Sequence, residues 1–169
     1  MSYAGSYMWQ LRQKVGNMCL LTTTVDVLPI NENGEIKLVY APHVNGWSCV
    51  GGHVEFGDSW QSAALHELEE EAGIVATEAD LIPFGAISGP ERIFHYQDGD
   101  SQPFTLCFLV KHWQSEGAQT DTEEVTTNGW FMLEDALKME ITPWCRNLLL
   151  GYREYLKTGQ FQLIIDRRN

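Results

Sequence analysis

Apolar and polar positions change period several times along the chain, and each change marks an element. Residues 6–15 (SYMWQLRQKV) predict a short helix stopped by Gly16. Two β-rich runs follow, MCLLTTTVDVLPI and EIKLVYAP, joined by NENG, whose Asn33-Gly34 pair is a hairpin-turn signal. Residues 43–58 are glycine-rich, hold no sustained period and read as loop. From Ser59 to Ala72 the spacing becomes helical. Leu65, Leu68 and Ala72 fall on one side of a wheel, with Ala64 at its margin, and predict the face that packs on a sheet. Asp58 stands where an N-cap is expected, with Gln61 three residues on, and Gly73 supplies a left-handed stop.

Past this helix, DLIPFGAIS and ERIFHYQ read as strands, DGDSQP as a turn, and FTLCFLVKHW as a further strand. SEGAQTDTEEVTTNG is a polar, acidic loop, followed by a strand WFML and a short helix EDALKM. Thr142 caps the last helix, with Pro143 in its first turn and Gly159 as its stop. Leu148, Leu149, Tyr152 and Leu156 form its apolar stripe. Strands interleaved with two substantial helices predict an α/β or α+β layered domain, a mixed sheet between helices. The expected organisation is a single domain over residues 1–169, with 1–16 as an N-terminal helical extension and 142–158 as the C-terminal helix.

Composition narrows the function. The length of 169 residues suffices to bury a core without staples, and 44% hydrophobic with 20% charged residues is ordinary for a globular chain. Eleven basic against 23 acidic residues give a net charge of −12, which argues against a nucleic-acid polymer as partner, because such binding rests on Lys and Arg. A phosphorylated ligand would need positive charge from elsewhere. Cys19, Cys49, Cys107 and Cys145 form no C-x-x-C pair, and Cys49 with His53 lacks a second pair for a zinc site. No signal-peptide pattern and no membrane-spanning apolar run is visible, so the expectation is a cytoplasmic protein with free, mostly buried thiols and no membrane partner.

One helical turn stands out. Glu67, Glu70 and Glu71 occupy i, i+3 and i+4, so their carboxylates share a face, whereas Glu69 points elsewhere into solvent. Ala63, one turn earlier on that face, leaves space above them. A charge run is usually a solvated surface. Here, however, Glu67 and Glu71 repel across i, i+4, and the helix C-terminus disfavours each acid by about 0.3–1 kcal/mol. Both costs are explained by a cation on that face. All-oxygen ligands suit Mg²⁺, with Mn²⁺ as a substitute, and such a metal would carry the missing positive charge to a phosphate. Gly51 and Gly52, otherwise a plain turn, would bring backbone close to it.

Residues 52–74 resemble a Nudix box, G-x5-E-x7-R-E-U-x-E-E-x-G-U with U a bulky aliphatic, through Gly52, Glu67, Leu68, Glu70, Glu71, Gly73 and Ile74. YMWQLRQKVG near the start and FGAISGPERIFHYQDGD also resemble a bacterial Nudix subgroup. Three positions depart from the usual pattern: Asp58 replaces Glu, His66 replaces Arg, and Val50 replaces a proline. The resemblance implies a Nudix-type α/β/α sandwich and metal-dependent hydrolysis of a nucleoside diphosphate linked to a group X. That class includes ADP-ribose-like compounds, nucleotide sugars and nucleoside triphosphates. By position it implies Glu67 and Glu71 as main metal ligands, Glu70 as a further one and the Gly51 carbonyl as an additional oxygen. Gly52, Asp58, His66 and Gly73 would support the box. The general base would be a box glutamate, or Glu123 or Glu124, which read equally as solvated loop acids. Asp58 with His66 is either a shortened supporting pair or a sign of lost activity. The rival to the hydrolase is therefore a Nudix-fold domain that binds or senses a nucleotide without turning it over.

Other residues carry weaker signals. Arg92 is read as a phosphate or ribose contact or as a surface residue. Trp47, Trp60, Phe94, Tyr96 and Trp130 are read as core, with stacking on a base as the alternative. His43, His95 and His112 have no partner pattern. The N-terminal helix is either a lid on the core or part of a homodimer contact.

Overall fold

Strand β1 (Leu20–Pro29) sets the layering, because successive side chains leave it on opposite faces. Val25 and Val27 point to one side, and Thr24, Asp26 and Leu28 to the other. The computed structural model describes residues 4–42, 45–119 and 125–166. On one flank β1 pairs in parallel with β8 (Gly99–Val110), and on the other it runs antiparallel to β4 (Val50–His53). β6 (Leu81–Ser88) lies beyond β8 and β11 (Gln162–Ile165) beyond β6, giving the order β11-β6-β8-β1-β4, while β7 (Phe94–Tyr96) pairs with the start of β8. A second sheet has the order β10 (Thr127–Phe131), β2 (Ile36–Ala41), β3 (Gly46–Ser48). A short pair joins β5 (Ile74–Val75) to β9 (Ser115–Glu116).

Helix α2 (Trp60–Ala72) covers one face. Its Ala63, Ala64, Leu68 and Ala72 are buried with Val25, Val27, Val50 and Phe108. Helix α4 (Pro143–Thr158) covers the other, where Cys145, Leu148, Leu149 and Tyr152 pack with Leu28, Phe84, Cys107 and Leu109. The predicted layered α/β arrangement with a mixed sheet between helices is the one observed. Helix α1 (Tyr7–Val15) begins at Ser6, whose hydroxyl accepts from the Trp9 N–H, and α3 (Leu133–Ala136) is a single turn before α4.

Several sequence expectations need correction. The NENG turn forms: the Asn31 side chain accepts from the N–H groups of Asn33 and Glu35. Yet the ladder beyond it is one bridge, Ile30 to Ile36, because β1 is already paired on both edges and β2 joins the other sheet. Residues 43–58 contain β3 and β4, held by backbone pairing that no side-chain period announces. DGDSQP is mostly strand: the turn is at Gln97–Asp98, and Gly99 at φ 128° starts β8. The cap of α2 is Ser59, not Asp58, in a reciprocal capping box with Ser62. Ala63 belongs to the core instead of leaving space above the carboxylates, and Leu65 is only half-buried. Trp60 and Tyr96 are exposed, not core, while Trp47, Phe94 and Trp130 are half-buried. β11 was not foreseen. It fits because Gly151 in α4 has no side chain; a Cβ there would lie 2.2 Å from Ile164 Cδ1. Of the four free cysteines, Cys19 is exposed and the other three are buried. Among the described residues no helix is long and apolar enough to cross a membrane.

Candidate active site

The glutamate turn and the double glycine meet where α2 lies on β4. The Gly51 N–H donates to Glu71 Oε2 at 2.9 Å. Gly51 pairs with Asp26 and Gly52 with Val25, so the two glycines face opposite sides of the sheet. Each is required by close approach. A Cβ on Gly51 would sit 2.2 Å from the Val25 carbonyl oxygen and 2.8 Å from Asp26 Oδ1. A Cβ on Gly52 would sit 2.1 Å from Glu67 Oε1, in the space the carboxylate occupies. Glu67 and Glu71, one helical turn apart, are thus both drawn onto one short strand. Glu71 is 7% exposed, Glu70 half-buried and Glu69 exposed, so Glu69 alone of the four is solvated. Gly73 ends α2 at φ 67°, and its carbonyl accepts from the Gly117 N–H at 2.7 Å.

The carboxylate oxygens supply the donor chemistry for a hard cation, and Gly52 leaves Glu67 the room to reach the strand. Among the described residues, however, no group of three or more His, Cys, Asp or Glu side chains is gathered closely enough to hold a metal ion.

The pair at the two unusual positions is loose. His66 Nδ1 lies 3.8 Å from Asp58 Oδ2, and the His66 side chain is 61% exposed. Asp58 Oδ1 instead accepts from the Ser62 hydroxyl at 3.0 Å. Exposed ion pairs of this kind contribute little, about 0–1 kcal/mol.

Arg92 is neither a surface residue nor aimed at solvent. It is 3% exposed, donates to Asp166 at 3.1 Å and to Thr105 Oγ1 at 2.8 Å, and lies 3.9 Å from Asp26 Oδ2. Its guanidinium also stands over the Phe94 ring. The Asp166 carboxylate in turn accepts from Asn147. Asp26 was missed at the sequence level. The signal was an acid inside an apolar strand run, VDVL, at a position the alternation buries. Burial pushes its carboxyl above the ordinary value, and the Arg92 guanidinium only partly offsets this. His53, next after the double glycine, is held below the usual imidazole value by burial. His95 pairs with Asp100 at the surface. Glu123, Glu124 and His43 lie outside the described residues.

A family model described as the NUDIX domain matches residues 20–150. The chain belongs to the Nudix family. By family it is a Nudix pyrophosphohydrolase. Solved structures agree on the Nudix fold. The MutT protein from Methanosarcina mazei Go1 is 19% identical with a TM-score of 0.63, covering 83% of this chain and 96% of its own. The binary complex of a C. elegans Ap4A hydrolase is 19% identical at 0.59, covering 80% and 98%. The Nudix domain of Shewanella oneidensis NrtR, complexed with ADP ribose, is 22% identical at 0.60, covering 92% and 99%. No curated protein matches the chain.

Proposed function

We propose that this Nudix domain hydrolyses the pyrophosphate bond of a nucleoside diphosphate linked to X, with a divalent metal that would gather Glu67, Glu71 and Glu70 around it with the Gly51 carbonyl. The observation that carries this reading is the interlock of Gly52 with Glu67 and of Gly51 with Glu71, which fixes two box carboxylates on one strand. Bound there, Mg²⁺ or Mn²⁺ would neutralise phosphate charge in the transition state, the positive charge that a chain of net −12 lacks. The chain's own part is positional. The Gly51 N–H orients one Glu71 oxygen, the burial of α2 on β4 keeps the site's floor rigid, and Gly73 ends the helix just after its acids. Water attacks one phosphorus, and its proton passes to a carboxylate, either a box glutamate or Glu123 or Glu124. A nucleotide derivative is also what two of the similar structures name, the Ap4A hydrolase and the domain complexed with ADP ribose.

The test is hydrolysis by the purified protein with Mg²⁺ or Mn²⁺, across nucleoside triphosphates, ADP-ribose, nucleotide sugars and dinucleoside polyphosphates. Glu71→Gln is the control, because a glutamine oxygen can still accept from Gly51 while the charge is lost. Turnover of some member, abolished in Glu71→Gln, is expected. The loose Asp58–His66 pair favours a second reading, binding without turnover. Nucleotide binding by calorimetry with no hydrolysis of any panel member would select it. If the pair merely weakens catalysis, Asp58→Glu with His66→Arg raises the rate; an unchanged rate removes that account.

A further inference from the structure

Buried polar atoms without a hydrogen-bond partner in the protein are concentrated in one region. Among the described residues they are Thr22 Oγ1, Asp26 Oδ2, His53 Nε2, Ser101 Oγ, Arg92 Nε and Arg12 Nε. Strand register explains the clustering. Thr24 is paired with both His53 and Thr105, and Thr22, two residues back along β1, and Ser101, four residues back along β8, lie on the same face. Asp26 shares that face, and Arg92 reaches it through Thr105. Gly51, paired with Asp26, stands on this face two residues before His53, so the polar face begins at the glycine whose carbonyl is proposed as a metal ligand.

Helix α1 is attached at both ends of that region. The Arg12 guanidinium is buried and donates to the carbonyl oxygens of Gly16, Met18 and Asp100, the last immediately before Ser101. Its seat is cut for it: a Cβ on Gly99 would lie 2.6 Å from Arg12 Nη1. At the other end the Tyr7 N–H donates to Glu55 Oε2 at 2.6 Å, two residues after His53, and the Tyr7 ring lies beside Phe56. Between these anchors the helix is poorly bonded to the body, for only Met8 and Arg12 are buried in it. A helix seated over this face would leave its hydroxyl and imidazole atoms without a partner, a cost that a hydrogen-bonding ligand would remove. An element with few apolar contacts and two polar latches belongs to the low-stability end of a fold. Gly16, at φ 64°, supplies a joint.

We propose that α1 is a strap over a polar subsite: it lifts to admit the hydroxyl-bearing part of a nucleotide ligand to Thr22, His53 and Ser101, and closes through Arg12 and Glu55. The inference rests on the nucleotide reading above and adds where X, or the ribose beside it, is held. Two neutral hydroxyls and an imidazole suit a sugar better than a second anion.

The test combines hydrogen exchange with binding, on the whole chain. Without ligand, α1 amides are expected to exchange at least tenfold faster than those of α4, and Arg12→Gln or Glu55→Ala to accelerate α1 alone. Amides of α1 as protected as those of α4 would overturn the strap. With ligand, ADP-ribose is expected to slow α1 exchange whereas inorganic pyrophosphate does not. Thr22→Val and Ser101→Ala are each expected to weaken ADP-ribose binding several-fold and leave pyrophosphate binding unchanged. Unchanged ADP-ribose binding in both variants would sink the subsite while leaving the phosphate reading standing. Failure of both pyrophosphate and ADP-ribose to bind would count against the nucleotide reading itself and against this subsite, and the ligand-free exchange contrast would still decide whether α1 opens.

Discussion

At the residue scale, single atoms of free space decide the site. Gly52 tolerates no side chain because Glu67 fills the position where a Cβ would go. Gly52→Ala is therefore expected to push the Glu67 carboxylate off β4 and lower kcat by about 10²-fold, the usual consequence of roughly 1 Å of misplacement. Circular dichroism and the denaturation midpoint should change little by comparison. Collapse of the whole fold would instead make Gly52 a packing residue. The sequence disclosed the glycines and glutamates, because backbone approach and ligand spacing are local properties. Asp26 and Arg92 were harder to read. Their meaning depends on Asp166, which lies 74 residues beyond Arg92 and meets it only through the order of the sheet.

At the element scale, α2 was predicted nearly to its ends, yet its cap was assigned one residue early. Asp58 and Ser59 are both good caps in sequence, and the choice follows from backbone direction: Ser59 accepts from the Ser62 N–H, while Asp58 only receives the Ser62 hydroxyl. Ser59→Ala should cost about 1 kcal/mol of stability in chemical denaturation, and Asp58→Ala distinctly less. A larger loss at Asp58 would restore it as the cap. Helix α4 was legible from Thr142, Pro143 and Gly159, since capping chemistry is carried within a few residues. β4 and β11 were not legible. Two glycines and a four-residue tail have no period of their own, and each becomes a strand because a neighbour offers unpaired backbone.

At the scale of the whole molecule, the Arg92–Asp166 pair joins the segment before β7 to the segment after β11 in the α4-side interior. Arg92→Met, which leaves Asp166 and Asp26 buried without their cation, should cost about 3–5 kcal/mol and a correspondingly lower Tm. Asp26 gives the opposite sign. Its folded pKa is raised, so the native state binds the proton more readily than the unfolded chain. The resulting destabilisation is absent well below the ordinary value of 3.8 and grows as pH rises through the raised one. Asp26→Asn should thus gain Tm over the wild type, with a gain that widens from acid to neutral pH. A gain independent of pH would mean that charge is not the cause. By itself the sequence determined the α/β class, both long helices and the spacing of the box, because helical period, caps and the three shared-face glutamates are set within one or two turns of chain. Only the tertiary structure decided which strand each glutamate reaches, that Asp58 and His66 stand nearly apart, and that Arg92 serves the interior. Those outcomes depend on pairing and burial between segments distant in sequence, where the energy of a contact is fixed by what else the fold has brought beside it.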